Sequence, residues 1–284
     1  MYAHLTLAEK VAGQFQVFPA VEAIALAGSQ TSGAGDRASD IDLYVYTTVQ
    51  IPVADRAAII DRLKASRADL NLQFWDPGDE WFDAATGIEV DVMYWDIRWI
   101  EETLDRVILR NEASLGYTTC HWNTIQKSQS LFDRRGWFHG LQAKSRQAYP
   151  EALRQAIITK NHPVLRSVIP AYLHQIEKAV RRNDLFSLNH RVAALLASYF
   201  DILFAVNRAL HPGEKRLVEA ASECCTSLPA GMADQVGRVL RATCSADTVL
   251  ITQINQLLDN LDRWLVEAGF DFENTWSAGG IKSH

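Results

Sequence analysis

Along the first hundred residues apolar positions come in short blocks bounded by turn residues, and beyond them they recur at helical steps. Thr6-Leu7-Ala8-Glu9 fits a capping box. With Val11, Ala12 and Phe15 at helical spacing it predicts a helix starting at Thr6 and closed by Pro19. Val21 to Ala27 reads as a first strand, Gly28 to Ser39 as a connection, and Ile41 to Tyr46 as a second strand. Pro52 to Arg67 sets Ile59, Ile60 and Leu63 on one side and charges on the other, the pattern of an amphipathic helix. Leu70 to Trp75 reads as a short strand before the turn Asp76-Pro77-Gly78-Asp79. A further strand lies in Gly87 to Tyr94 and a helix over Ile100 to Leu109, so the first domain is expected to span 1–105.

From 106 to 284 little alternates with a strand's period, and an all-α helical bundle is expected. Tyr149-Pro150 precedes a helix from Glu151 to Lys160, and Asn161-His162-Pro163 reads as the start of the next, running to Arg182. Leu185 to Leu210 forms a long helix with a wide apolar face, stopped by His211-Pro212-Gly213. The last helix runs from about Asp247 to Ala268, and the tail 277–284 is expected to fray. On the long helix Ser187, Arg191, Ala194, Ser198, Asp201, Ala205 and Arg208 share a face. Its small side chains suit close helix packing, and the alternative is a cleft lining with Arg191 toward phosphate and Asp201 toward an acceptor.

The composition, 48% hydrophobic over 284 residues, suits one large domain or two moderate ones. Cys120, Cys224, Cys225 and Cys244 lack zinc spacing, and Met1 to Leu5 does not open a secretory signal, so free thiols in a reducing cytoplasm are expected. No stretch reaches the length of a membrane span. Charge is uneven. Residues 1–105 carry 7 Lys and Arg against 18 Asp and Glu, whereas 106–220 carry 17 against 8.

The chemistry concentrates where the first strand ends. If the second strand is extended, Asp40 and Asp42 share a face while Ile41 and Leu43 point into a core. Two like charges on one face call for a cation between them, and hard ions such as Mg²⁺ take carboxylates together with substrate phosphates. Gly28 lets backbone N–H groups approach an anion, and the Ser29 hydroxyl can donate to a phosphate oxygen. An anion grip beside a cation grip reads as a site for a metal-bound nucleoside triphosphate.

Gly28-Ser29, a spacer with Gly33, and Ser39-Asp40-Ile41-Asp42-Leu43 resemble the signature of the DNA polymerase β-like nucleotidyltransferase superfamily. The resemblance implies an α+β architecture, a nucleotidyltransferase domain with a small mixed β-sheet flanked by helices, followed by a helical domain at 106–284 that clamps nucleotide and acceptor. It implies a third carboxylate on a later strand, Asp91 first and Glu89 second. A cation from the helical part is expected at the triphosphate, with Lys160, Lys178, Arg191 and Lys215 as candidates.

The reaction it implies is Mg²⁺-dependent transfer of AMP from ATP to a hydroxyl of a small acceptor, with release of pyrophosphate. Asp91 either completes the metal site or takes the acceptor proton. The basic segment argues for a neutral acceptor over a polycation. Transfer to a macromolecule such as tRNA or a protein is a second reading, though no basic run with stacking aromatics favours nucleic acid. A non-catalytic nucleotide-binding module is a third. The acids Asp76, Asp79, Glu80 and Asp83, interleaved with Trp75, Trp81 and Phe82, read as a surface turn anchored by aromatics; a lid orienting a cationic acceptor is the alternative.

Overall fold

The structure is a computed structural model, and it describes residues 2–28 and 40–270. Its contacts divide the chain into two compact units, 1–109 with 121–148, and 110–120 with 149–284. The boundary expected at 105 is therefore replaced by three crossings, because a strand and two helices beyond it return to the first unit.

The first unit carries a six-stranded mixed sheet in the order β3-β4-β5-β2-β1-β6. Its strands are β1 (Val21–Leu26), β2 (Ile41–Thr47), β3 (Ala65–Leu72), β4 (Gly78–Asp83), β5 (Glu89–Asp96) and β6 (Gln129–Asp133). Only β2 and β5 run parallel; the other neighbours are antiparallel. Helices α1 (Tyr2–Phe15), α2 (Val53–Leu63), α3 (Ile97–Ile108), α4 (Cys120–Lys127) and α5 (Trp137–Ser145) accompany it. Strand alternation sorts the two faces. Ile41, Leu43, Val45, Trp81, Val90 and Val92 point into one core with Val11 and Phe15 of α1 and Ile59, Ile60 and Leu63 of α2.

Several elements depart from expectation for local reasons. Nothing breaks the helix before Thr6, so α1 begins at Tyr2 and Thr6 lies within it. α2 stops at Leu63 because Lys64 turns left-handed at its C-cap (φ 61°), and the chain enters β3 five residues sooner than expected. Asp96 caps α3, its Oδ1 accepting from the N–H groups of Arg98 (2.8 Å) and Trp99 (3.1 Å), so the helix opens at Ile97. The turn Asp76 to Asp79 runs directly into β4, and the acid cluster splits by alternation: Asp79 and Asp83 are buried, Glu80 half-buried.

The second unit is helical: α6 (Glu151–Arg166), α7 (Tyr172–Arg181), α8 (Leu185–Val206), α9 (Leu217–Cys224), α10 (Met232–Ala242) and α11 (Thr248–Glu267). Pro163 lies inside α6 instead of opening a helix; one turn from the end, its missing N–H removes a single backbone bond. The break comes at 167–171, so α7 is shorter than expected. α8 is the axis of the core, with Leu195, Tyr199, Ile202 and Leu203 fully buried.

Segment 110–120 packs on the small-residue face of α8. Gly116 rests on Ala197, where a Cβ would come within 3.0 Å of the alanine's own. Thr118 donates through its N–H (3.1 Å) and its Oγ (2.6 Å) to the buried Asp201 carboxylate. Burial pushes the Asp201 carboxyl up to about 7, against the lowering effect of these hydrogen bonds. Asp201 is thus a packing anchor, and the alternative that aimed it at an acceptor fails. The four cysteines are free thiols. Among the described residues no helix is long and apolar enough to cross a membrane. The tail 277–284 lies outside the described residues.

Candidate active site

The parallel pairing of β2 with β5 sets Asp42 directly opposite Asp91, with Ile41 opposite Val90 and Leu43 opposite Val92. Opposite partners share a face, so the two half-buried carboxylates stand side by side on the face away from the α1–α2 core. The row continues. Asp91 is paired with Glu80 on β4, and Glu80 with Asp69 on β3, giving Asp42, Asp91, Glu80 and Asp69 across four neighbouring strands. At the usual strand spacing the row is roughly 14 Å long.

Like charges in line leave an electrostatic mark. The Asp91 carboxyl is pushed up to about 7, first by burial and then by the negative fields of Glu80, Asp42, Asp40 and Glu89. Glu89, the second choice for the third carboxylate, is exposed at the start of β5 and opposite Phe82, so register favours Asp91 over it. Asp40 precedes β2, half-buried and close enough to act on Asp91.

Gly28, just past the end of β1, flanks the row at Asp42. Its backbone is left-handed (φ 69°), and a Cβ there would fall 1.7 Å from Oδ2 of Asp42. Only glycine lets the chain leave β1 across that carboxylate. Ser29, expected to hold phosphate, lies outside the described residues.

A pocket of about 280 Å³ opens beside Asp91 on the same sheet face. Asp69, Glu80, Asp91 and Met93 line it from the strands, and Phe74, Trp75 and Asp76 from the β3–β4 connection. Phe74 and Trp75 are 81% and 93% exposed, high for rings of this size. Behind the pocket a buried ion pair fixes the strands. Arg56 of α2 donates to Asp79 Oδ1 (2.7 Å), which also accepts from the Asn71 N–H (2.8 Å), and the Tyr94 hydroxyl donates to Asp79 Oδ2 (2.7 Å). The Arg56 guanidinium lies over the Tyr94 ring, 4.7 Å from its centroid.

Further along the same face the carboxylates give way to aromatics. Tyr44 packs against Trp95 in a tilted pair, ring centroids 4.1 Å apart, and Tyr46 packs against Trp137 and Phe138 of α5. His121 packs against Trp95 and Trp99, and burial lowers its pKa despite the opposing field of Asp76.

Among the described residues no three Asp, Glu, His or Cys side chains converge as a ready chelating group. The expected set of three aspartates is present as a pair, Asp42 and Asp91, with Asp40 nearby. A pair suits an ion that completes its shell with substrate phosphates and water, as Mg²⁺ does. Glu80 was hidden in the sequence because it sits in a cluster that reads as a turn. A strand period carried back from Trp81 would have separated it from Asp79.

The cations expected at a triphosphate all belong to the second unit: Lys160 on α6, Lys178 on α7, Arg191 on α8 and Lys215 between α8 and α9. Lys178 and Arg191 line one groove, which Arg182 also enters; Lys160 and Lys215 lie outside it.

A family model described as a domain of unknown function, DUF4037, matches residues 118–217. No curated protein matches the chain. Among solved structures it is similar to a nucleotidyltransferase-like protein from Exiguobacterium sibiricum, at 12% identity and a TM-score of 0.43, over 92% of this chain and 74% of that one. It is also similar to the Thermotoga maritima CCA-adding enzyme complexed with tRNA, at 10% identity and a TM-score of 0.32, over 98% of this chain and 87% of that one. These likenesses are loose.

Proposed function

We propose that this chain is a metal-dependent nucleotidyltransferase that moves a nucleoside monophosphate, AMP from ATP, to a hydroxyl of a small acceptor. The observation that carries the reading is the register of β2 on β5, which pairs Asp42 with Asp91 beside a glycine whose missing Cβ leaves room for the Asp42 carboxylate. Asp40, Asp42 and Asp91 are the residues to hold Mg²⁺, which when bound neutralises phosphate charge and favours the leaving pyrophosphate. Gly28 and Ser29 are assigned to the triphosphate.

The acceptor oxygen attacks the α-phosphorus in line. A new O–P bond forms, the bond to the bridging oxygen of the β-phosphate breaks, and pyrophosphate leaves with that electron pair. Glu80, next in the row beyond Asp91 and facing the pocket, takes the acceptor proton.

The pocket also bears on the acceptor. Its walls are carboxylates and exposed aromatic rings, surroundings that favour an amine-bearing molecule over the neutral one suggested by average charge. The helical unit is not basic once the chain is divided as it folds. The first unit holds 13 Lys and Arg against 19 Asp and Glu, and the helical unit 15 against 15.

Incubation with α-labelled ATP, Mg²⁺ and a panel of hydroxylated amines should yield labelled product and pyrophosphate. Asp42→Asn should reduce turnover at least about 100-fold, since a metal's charge stabilisation amounts to several kcal/mol. Near-normal transfer by that variant would sink the proposal.

A further inference from the structure

We propose that the helical unit carries a second ligand site, an anion groove for a chain of phosphate groups, built from Lys178 and Arg182 of the α7 end and Arg191 of α8. The groove has a volume of about 550 Å³, within the range of small-molecule sites and large for a lone phosphate. Ala179, and Ile169 and Pro170 of the α6–α7 connection, line it as well.

Three cations face this space, and among the described residues none of them has an ion pair. Some other arginines of the same unit are paired, while Arg181, Arg216, Arg238, Arg241 and Arg263 form no ion pair among the described residues either. Arg154 and Arg208 both engage Glu151 (2.5 and 2.8 Å), and Arg166 engages Asp259 (2.6 Å). One carboxylate, Asp184, lines the groove, but its oxygens are taken. Oδ1 accepts from the Ser187 N–H (3.0 Å) and Oδ2 from the Ser187 hydroxyl (2.6 Å), as the N-cap of α8. Those bonds, with the nearby Arg182 charge, hold the Asp184 carboxyl below the usual range, so it stays ionised and turned to the helix. Gln175 is also committed, its amide donating to the Pro170 carbonyl (2.6 Å).

The lining therefore keeps a net positive charge of two with its free donors on Lys178, Arg182 and Arg191. Clustered like charges raise the local potential for an anion, and guanidinium groups match phosphate oxygens in pairs. The chemistry fits consecutive phosphates, whether the polyphosphate of a nucleotide or the backbone of a single-stranded RNA. It does not depend on transferase activity, since every lining residue belongs to the helical unit.

The test uses the intact protein in EDTA, which removes any contribution from a metal at Asp42. ATP binding is measured by calorimetry, and binding of a short fluorescein-labelled RNA by anisotropy across a salt series. The variant Lys178→Glu/Arg182→Glu/Arg191→Glu should lose at least about tenfold affinity, and for RNA its log–log salt slope should flatten by about 2. Arg182→Gln, at an exposed position, should lose affinity in the same direction with an unchanged melting temperature. Loss for ATP alone assigns the groove to a nucleotide, loss for RNA alone to a nucleic-acid backbone, and loss for both to either source. Failure to bind both ligands, or binding unaffected by Arg182→Gln and by the triple change, overturns the site.

Discussion

Gly28 and Asp42 meet so closely that each constrains the other. A methyl group at position 28 would occupy the space of the Asp42 carboxylate and add the strain of a left-handed backbone, about 1 kcal/mol or more. Gly28→Ala is therefore expected to displace that carboxylate and lower nucleotidyl transfer by at least about tenfold, a factor that corresponds to 1.36 kcal/mol. Gly13→Ala is the control, because nothing lies within 4 Å of a Cβ there; it should leave activity unchanged and raise the melting temperature slightly. Asp201 makes a prediction in pH. Its folded pKa of about 7 exceeds the ordinary carboxylate value, so the folded protein binds a proton that the unfolded chain has released. Its contribution to stability is full below about pH 4 and falls by up to about 1.4 kcal/mol per unit as pH rises toward 7. Asp201→Asn removes that dependence. Urea denaturation at several pH values should show the difference between the two proteins growing in the variant's favour from pH 5 to 7; parallel profiles would refute the assignment.

The β3–β4 hairpin is where an element's rigidity serves the row of carboxylates. Asp79 ties α2, β3 and β5 through Arg56, the Asn71 N–H and the Tyr94 hydroxyl, while Glu80 beside it faces the pocket. Both partners of the ion pair are buried, so removing one leaves a charge without compensation. Asp79→Ala should destabilise the protein by about 3–5 kcal/mol in urea titrations. Adding Arg56→Met should restore much of the loss, which would separate a buried-charge penalty from loss of packing.

Elements were legible in the sequence where apolar runs were long or caps were present. β1, β2 and β5 follow from their valine, isoleucine and leucine runs, and the start of α11 from Asp247. β6 was not, because Gln129-Ser130-Leu131-Phe132-Asp133 is short and does not alternate. The Asp42–Asp91 pairing was anticipated from motif order; Glu80 was not, since register between distant strands leaves no local trace.

For the whole molecule, the return of α4, β6 and α5 completes the sheet. β6 covers the outer edge of β1, and the Arg134 side chain donates to the carbonyls of Gln16 (2.7 Å), Phe18 (2.9 Å) and Val21 (2.8 Å). Phe138 is fully buried beside Tyr46. A fragment of residues 1–109 would leave β1 as an open edge and uncover these aromatics, so it should bind a hydrophobic dye and aggregate. A fragment of residues 1–148 should melt cooperatively in circular dichroism. If the shorter piece melted as sharply as the longer one, β6 and α5 would be ornaments of the sheet and not parts of it.

The two-way weaving of the chain also limits how such a protein can diversify. With 110–120 belonging to one body and 121–148 to the other, a single crossover between genes cannot trade one intact half for a foreign one. New specificity would then arise mainly by substitution within existing walls, so relatives with different ligands should differ in side chains around the hairpin while keeping the same threading.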